Sequence, residues 1–327
     1  MIAFILSRIL QAIPVILTVG LIAFCLFMFV GDPVLIMLGN QFDEAQRLRM
    51  VEELGLNDPF YVQYGRYLWD AIQGNFGISY RAAIPVTELL GRSLPASIEL
   101  VAVSLVMALG IGIPLGIYTA IRRDSWLSHL TMTVSLVGIS LPTFVVGIFL
   151  VLIFSVTLGW LPSFGRGELA RIGGWTTGLL TLSGWRAILL PAVTIALFQI
   201  TFIMRLVRAE MLSVLRADYI KFARARGIRA RSIHFRHALR NTLIPVITVV
   251  GLQIGGLMSF AMVTESVFQW PGMGLLLINS INFVDIPVMA AFLMLIAVVF
   301  LVINLVVDLL YFAVDPRLRG ALRGGAA

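Results

Sequence analysis

Six stretches of this chain, at about 9–30, 98–121, 131–158, 187–206, 243–263 and 288–313, are apolar and polypeptide-long in a particular way. Each approaches or exceeds the ~20 residues that carry an α-helix across a bilayer. A helix bonds its own backbone groups, so runs of this kind belong in hydrocarbon as helices. Only 13% of the residues are charged, against roughly a quarter in a soluble domain. The expectation is an all-α membrane protein with about six transmembrane helices. The first run begins after Arg8 and has the position of a signal peptide. It is too long for a signal h-region and is followed by "GDP" rather than a small-residue cleavage site, so it reads as a retained span.

Charge orients the helices. Of the 24 Lys and Arg residues, 16 fall in one set of connections: Arg8, Arg122 and Arg123, the ten from Arg205 to Arg240, and Arg317, Arg319 and Arg323. The other eight, among them Arg66, Arg166 and Arg186, are spread over longer connections. The positive-inside rule then makes both termini cytoplasmic. Within the first set, "ARARGIRARSIHFRHALR" at 223–240 holds six arginines and two histidines with no acid. On a soluble protein this run would suggest nucleic acid. Membrane topology alone already demands cations here, so no nucleic-acid partner is inferred.

The extracytoplasmic segment at about 31–97 is long enough for structure of its own. "FDEAQRLRMVEELGLNDP" reads as an amphipathic helix from near Asp43 to Gly55, and Asp58-Pro59 as an N-cap followed by proline at the first helical position. The segment serves either as a cap on the bundle or as a docking surface for an extracytoplasmic partner. The next external loop, about 159–186, is rich in Gly and Trp and reads as irregular. The cytoplasmic connection at 207–242 is patterned. Asp218 can cap a helix that Gly227 stops, and a second helix runs through "RSIHFRHALRNT" to end ahead of Pro245. Leu215, Tyr219 and Phe222, at i, i+4 and i+7, form an apolar stripe.

Reactive chemistry is sparse. His234 and His237 share a helical spacing, but no carboxylate or cysteine joins them to complete a metal site. The serines within the spans have no histidine as general base. Glu99, Glu265 and Asp308 lie near span ends, where side chains can reach water or headgroups, and the midplane carboxylates typical of ion-coupled carriers are missing. A phosphate-binding P-loop needs a glycine turn followed by lysine, and the one lysine, Lys221, has no such turn before it. Uphill transport by this chain therefore needs energy from another polypeptide. The residual polarity of the spans offers a translocation path at Ser140, Thr143, Thr194, Gln199, Gln253 and Ser259, or equally a set of helix–helix hydrogen bonds.

The run "DYIKFARARGIRARSIHFRHALRNTLIPVIT" closely resembles the cytoplasmic loop of binding-protein-dependent ABC importer permeases of the peptide/nickel class. "LQAIPVILTVGLIAFCLFMFVGDP", "GNFGISY…PVTELLGRSLPASIEL" and "VTESVFQWPGMGLLLINSI" agree with it in order and topology, so the resemblance covers essentially all of 1–327. Ala223, Gly227 and Leu239 keep the wider family's loop pattern. Lys221, Phe222, His237 and Arg240 depart from it in the manner of peptide-class members, and no role is carried over for the missing glutamate.

The resemblance implies a single type I ABC importer transmembrane domain in a prokaryotic cytoplasmic membrane, with no catalytic residue and no cofactor of its own. Its partners would be a second, homologous permease subunit, two ATPase subunits carrying ATP and Mg, an extracytoplasmic solute-binding protein and membrane lipid. The loop at 207–242 would couple to the ATPases through Asp218, Tyr219, Lys221, Phe222, Ala223, Arg224, Ala225, Arg226, Gly227, Arg231, His237, Leu239 and Arg240. The resemblance also places a turn at Glu265, Phe268, Trp270, Pro271, Gly272 and Gly274, with Trp270 as an interfacial anchor; the turn serves either as a docking or gating element or as a purely structural one. Di- or oligopeptides are the implied cargo; nickel chelates, glutathione and oligosaccharides are alternatives within the family. An autonomous channel or secondary carrier is the rival from another class.

Overall fold

The computed structural model describes residues 2–29, 43–53 and 55–314. Residues 30–42 of the segment expected to be extracytoplasmic, the side chain of Ser259 and Arg317, Arg319 and Arg323 lie outside the described residues. Five helices among them are long and apolar enough to cross a membrane: within α1 (Ile2–Phe29), α4 (Val86–Ile121), α7 (Leu182–Leu215), α9 (Leu239–Val267, with the turns before it) and α11 (Ile286–Val314).

The third apolar stretch, expected as one span over 131–158, is divided. Helix α5 (Trp126–Ser140) ends before Leu141-Pro142, and α6 (Thr143–Leu150) runs into a π-helical turn at Val151–Thr157. Proline explains the break. Its ring disfavours the helical conformation of the residue before it, and Pro142 itself is extended, with ψ 139°. Pro191 and Pro245 lie instead inside α7 and α9. The helix expected to end ahead of Pro245 therefore continues through it to Val267. Loss of one N–H is tolerated in a long apolar helix whose other backbone bonds persist.

Two compact units make up the chain. One comprises 1–95 and 272–302. Here α2 (Glu44–Glu53) stops at Gly55, whose φ of +61° suits glycine. Helix α3 (Phe60–Ile72) has Pro59 at its N-cap rather than Asp58. The Asp58 carboxylate turns to Arg66 at 2.6 Å instead. Ala23, Ala290 and Met294 form a small core with Leu68 and Phe76 against it. Tyr64 bonds the carbonyl of Leu17 at 2.7 Å, tying α3 to α1.

The other unit comprises 96–271 and 303–327. Its core joins α4, α7, α9 and the short helix at 218–225 through Ala108, Ile203, Val207, Met211, Ile220 and Val250. Small residues set the approach of these helices. A Cβ on Gly116 would lie 2.6 Å from Val207, and one on Gly251 would lie 2.3 Å from Val307. The Gly- and Trp-rich loop is more ordered than its composition suggests. Strands β1 (Ala170–Ile172) and β2 (Trp175–Thr177) pair antiparallel around Gly173-Gly174, with Gly173 at φ +60°, the conformation a two-residue hairpin turn requires.

Candidate functional site

The basic connection at 207–242 is built as a short rigid bracket. Helix α7 persists nine residues past its expected end, to Leu215, leaving only a brief link before α8 (Asp218–Ala225). Ala217 is the N-cap, extended at ψ 148°, so Asp218 occupies the first helical turn rather than the cap. There it complements the helix dipole and pairs with Lys221 at 2.8 Å. Both side chains are exposed, which limits the pair to under ~1 kcal/mol.

Gly227 ends α8 as its sequence position implies. Its φ is +74°, its N–H bonds the carbonyl of Arg224 at 2.9 Å, and the Ile228 N–H reaches the carbonyl of Ala223 at 3.2 Å. This is the paired bonding of a Schellman stop. The chain then passes through one helical turn (Ala230–Ser232) and a π-helical turn (Ile233–Ala238) directly into α9.

The buried face of α8 differs from the expected stripe. Ile220 is fully buried and Ala223 nearly so, packed with Met211, Ile233 and Ala238. Tyr219 and Phe222 point outward, Phe222 with 64% of its surface exposed. Counting from Leu215 misplaced the face because the helix is interrupted at 216–217, which resets its phase. Tyr219 accepts a hydrogen bond from Asn241 Nδ2 at 2.7 Å, and the Arg226 guanidinium lies 5.7 Å from the Phe222 ring. Asp218, Lys221, Arg224, Ala225, Arg226, Gly227, Arg231 and Arg240 are exposed, whereas His237 and Leu239 are half-buried. The bracket thus presents two aromatic rings among cations on one side, and on the other is fastened to two long helices.

The residues around "TESVFQWPGMG" are buried rather than displayed. Glu265, Phe268, Trp270, Gly272 and Gly274 are all buried; Pro271 is exposed. Trp270 is no interfacial anchor: its Nε1–H donates to the carbonyl of Ala96 at 2.9 Å, and its own backbone N–H donates to the carbonyl of Glu265. Ser97 Oγ donates to Glu265 Oε1 at 2.5 Å. Beside this turn lies an ion pair that sequence reading missed. Arg166 Nη2 meets Glu99 Oε2 at 2.6 Å, with each side chain no more than 5% exposed. The Trp175 indole donates to Glu99 Oε1 at 3.1 Å, and Arg166 also donates to the Thr176 carbonyl at 2.7 Å. Its guanidinium stands 5.9 Å from the Trp270 ring.

Glu99 and Glu265 therefore reach protein donors, not water or headgroups as their positions near span ends suggested. The available signal was Glu99 itself, a carboxylate in an apolar helix, which demands a partner. Nothing in the aperiodic loop around Arg166 identified that partner.

The polar residues of the candidate path are dispersed. Thr194 is buried and bonds the Leu190 carbonyl, and Ser140 is exposed and bonds the Leu136 carbonyl, both within their own helices. Thr143 and Gln253 are half-buried. Gln199 is buried, and its Oε1 has no hydrogen-bond partner among the described residues.

These features define a helical, multi-span membrane protein in which two long helices, α7 and α9, are bridged by a stiff, basic bracket. Residues 112–320 match the family described as the binding-protein-dependent transport system inner membrane component, and residues 1–102 match the N-terminal region of such membrane components. The chain is 38% identical over 332 residues to the dipeptide transport system permease protein DppB of Alkalihalophilus pseudofirmus, covering 98% of this chain and 100% of that one. It is 36% identical over 321 residues to the glutathione transport system permease protein GsiC of Shigella flexneri, covering 98% and 99%. Among solved structures, an inward-facing methionine ABC transporter, MetNI, matches at TM-score 0.56 and 19% identity, over 69% of this chain and 96% of that chain. The chain belongs to the family of inner-membrane components of binding-protein-dependent transport systems, and is a multi-pass protein of that membrane.

Proposed function

We propose that this chain is the translocating subunit of an ATP-driven importer of di- or oligopeptides. It works by alternating access beside a second, homologous permease, with both termini in the cytoplasm. Two separate ATPase subunits carry ATP and Mg, and an extracytoplasmic binding protein delivers the cargo. The full-length similarity to a dipeptide permease supports the cargo class. The 36% identity to a glutathione permease favours a modified tripeptide as the second reading.

The observation that carries the mechanism is the seating of α8. Burial of Ile220 stabilises the bracket by about 1.5–3 kcal/mol, in a buried cluster that includes Met211 of α7, Ile233 and Ala238 of the turn leading into α9, and Val246 and Val250 of α9 itself. A force on α8 is therefore delivered to two long helices instead of being absorbed by a slack loop. The outward Phe222 and Tyr219 are the apolar part of the grip on an ATPase groove. Arg224, Arg226 and Arg231 supply cations for carboxylates around it.

Reconstitution tests the proposal. The chain with its second permease and ATPases in vesicles should accumulate a dipeptide only when ATP and the binding protein are both supplied. Uptake by this chain alone, without ATPase, would establish the autonomous channel or carrier instead. Uptake of glutathione in preference to dipeptides would select the second cargo.

A further inference from the structure

A cavity of about 250 Å³ lies within the unit formed by 1–95 and 272–302. We infer that it is a binding site for an organic ammonium group. Its walls include Phe24, Tyr67, Phe76 and Tyr80 together with Asp70. Phe24 and Tyr67 stand 5.7 Å apart between ring centroids, so the aromatic wall is a packed surface rather than scattered rings.

Three observations point to a ligand and to its charge. First, the hydroxyls of Tyr67 and Tyr80 are buried without a hydrogen-bond partner among the described residues. Burying a hydroxyl without a partner costs about 1–3 kcal/mol, and two of them at one cavity indicate that the site is complete only when occupied. Second, the ionic wall is unbalanced toward the acid. Arg66, the cation at the cavity, is committed to Asp58 at 2.6 Å, whereas among the described residues no ion pair or side-chain hydrogen bond engages Asp70. Third, aromatic faces attract cations by their quadrupoles, and a ring-lined pocket with one carboxylate is the arrangement that selects an ammonium over a neutral ligand.

Burial pushes both phenols up to about 12, so each keeps its proton. They can donate to a polar atom beside the ammonium while their ring faces receive the charge. Pro287, Ala290 and Ala291 close the opposite wall with apolar surface, which suits the carbon skeleton of the ligand.

An ammonium of this kind reaches the site from a free amine-bearing solute or from the headgroup of an aminophospholipid. The inference is independent of the coupling mechanism, because none of these residues belongs to the bracket at 207–242. The test uses the full importer complex in nanodiscs of phosphatidylglycerol, titrated calorimetrically with dialanine, short-chain phosphatidylethanolamine and the N-acetylated form of each. At least one amine probe should bind, and its acetylated counterpart should not. Asp70→Asn should weaken that binding about ten-fold or more, the loss expected for one charge-assisted contact. Tyr67→Phe, which keeps the ring and removes the hydroxyl, should weaken it several-fold and guards against misfolding of the first variant. Binding of dialanine alone assigns the site to a solute, and binding of the phospholipid alone assigns it to lipid. Failure of both amines, or equal affinity in wild type and Asp70→Asn, would overturn the inference.

Discussion

Gly227 offers a perturbation whose effect can be worked out before it is made. Its φ of +74° lies in the left-handed region, and a Cβ built there meets nothing within 4 Å. Steric collision with a neighbour is thus excluded, and any cost is that of the backbone conformation alone. For an ordinary L-residue that cost is roughly 1–2 kcal/mol; asparagine visits the region more readily, and a β-branched residue is the least suited to it. One step of 1.4 kcal/mol is about ten-fold in the population of the stopped helix. The series Gly227→Asn, Gly227→Ala and Gly227→Val should therefore reduce coupled uptake in that order. Asparagine should remain within a few-fold of wild type, and valine should lose ten-fold or more. The assay is transported solute per ATP hydrolysed in reconstituted vesicles, with membrane insertion checked by protease accessibility. If the conformation of the stop sets the coupling, hydrolysis should continue while uptake falls. Equal effects from asparagine and valine would refute that reasoning, as would full coupling in the valine variant.

Three further outcomes follow from the packing. Arg166→Leu leaves Glu99 buried without its 2.6 Å partner; a loss of ~3–5 kcal/mol is expected, read as a lower unfolding temperature in detergent, and adding Glu99→Leu should restore most of it. Gly251→Ala drives a methyl to 2.3 Å from Val307, so it should destabilise by ~1–3 kcal/mol, with relief from Val307→Ala as the check. Tyr67 and Tyr80 have pKa values raised to about 12 from 10.0. The stability linked to them is fully present below pH 10 and is lost as pH rises toward 12. Ultraviolet titration of the phenolates should show these two ionising last, and Phe replacements should remove that late phase.

The sequence by itself determined that this is a helical membrane chain, because long apolar runs and one-sided arginine placement are local properties that survive without coordinates. It also determined where α8 stops, since the need for glycine at Gly227 is written into a single residue. Its reading of which face α8 buries was wrong. The stripe Leu215–Tyr219–Phe222 assumed one continuous helix, and a two-residue break turned Ile220 and Ala223 inward instead. The division of the third apolar stretch at Pro142 was legible as an alternative, since proline either kinks a helix or begins one.

What only the tertiary structure decided is the partnering of charge. Glu99 and Arg166 are 67 positions apart, and the loop holding Arg166 carries no period that could reveal the meeting. Trp270 likewise looked like a membrane-surface aromatic until its indole was seen to close on Ala96. Apolarity, helix propensity and turn chemistry are written in neighbouring residues. The desolvation of a charge, and the distant donor that makes it tolerable, exist only once the chain has folded back upon itself.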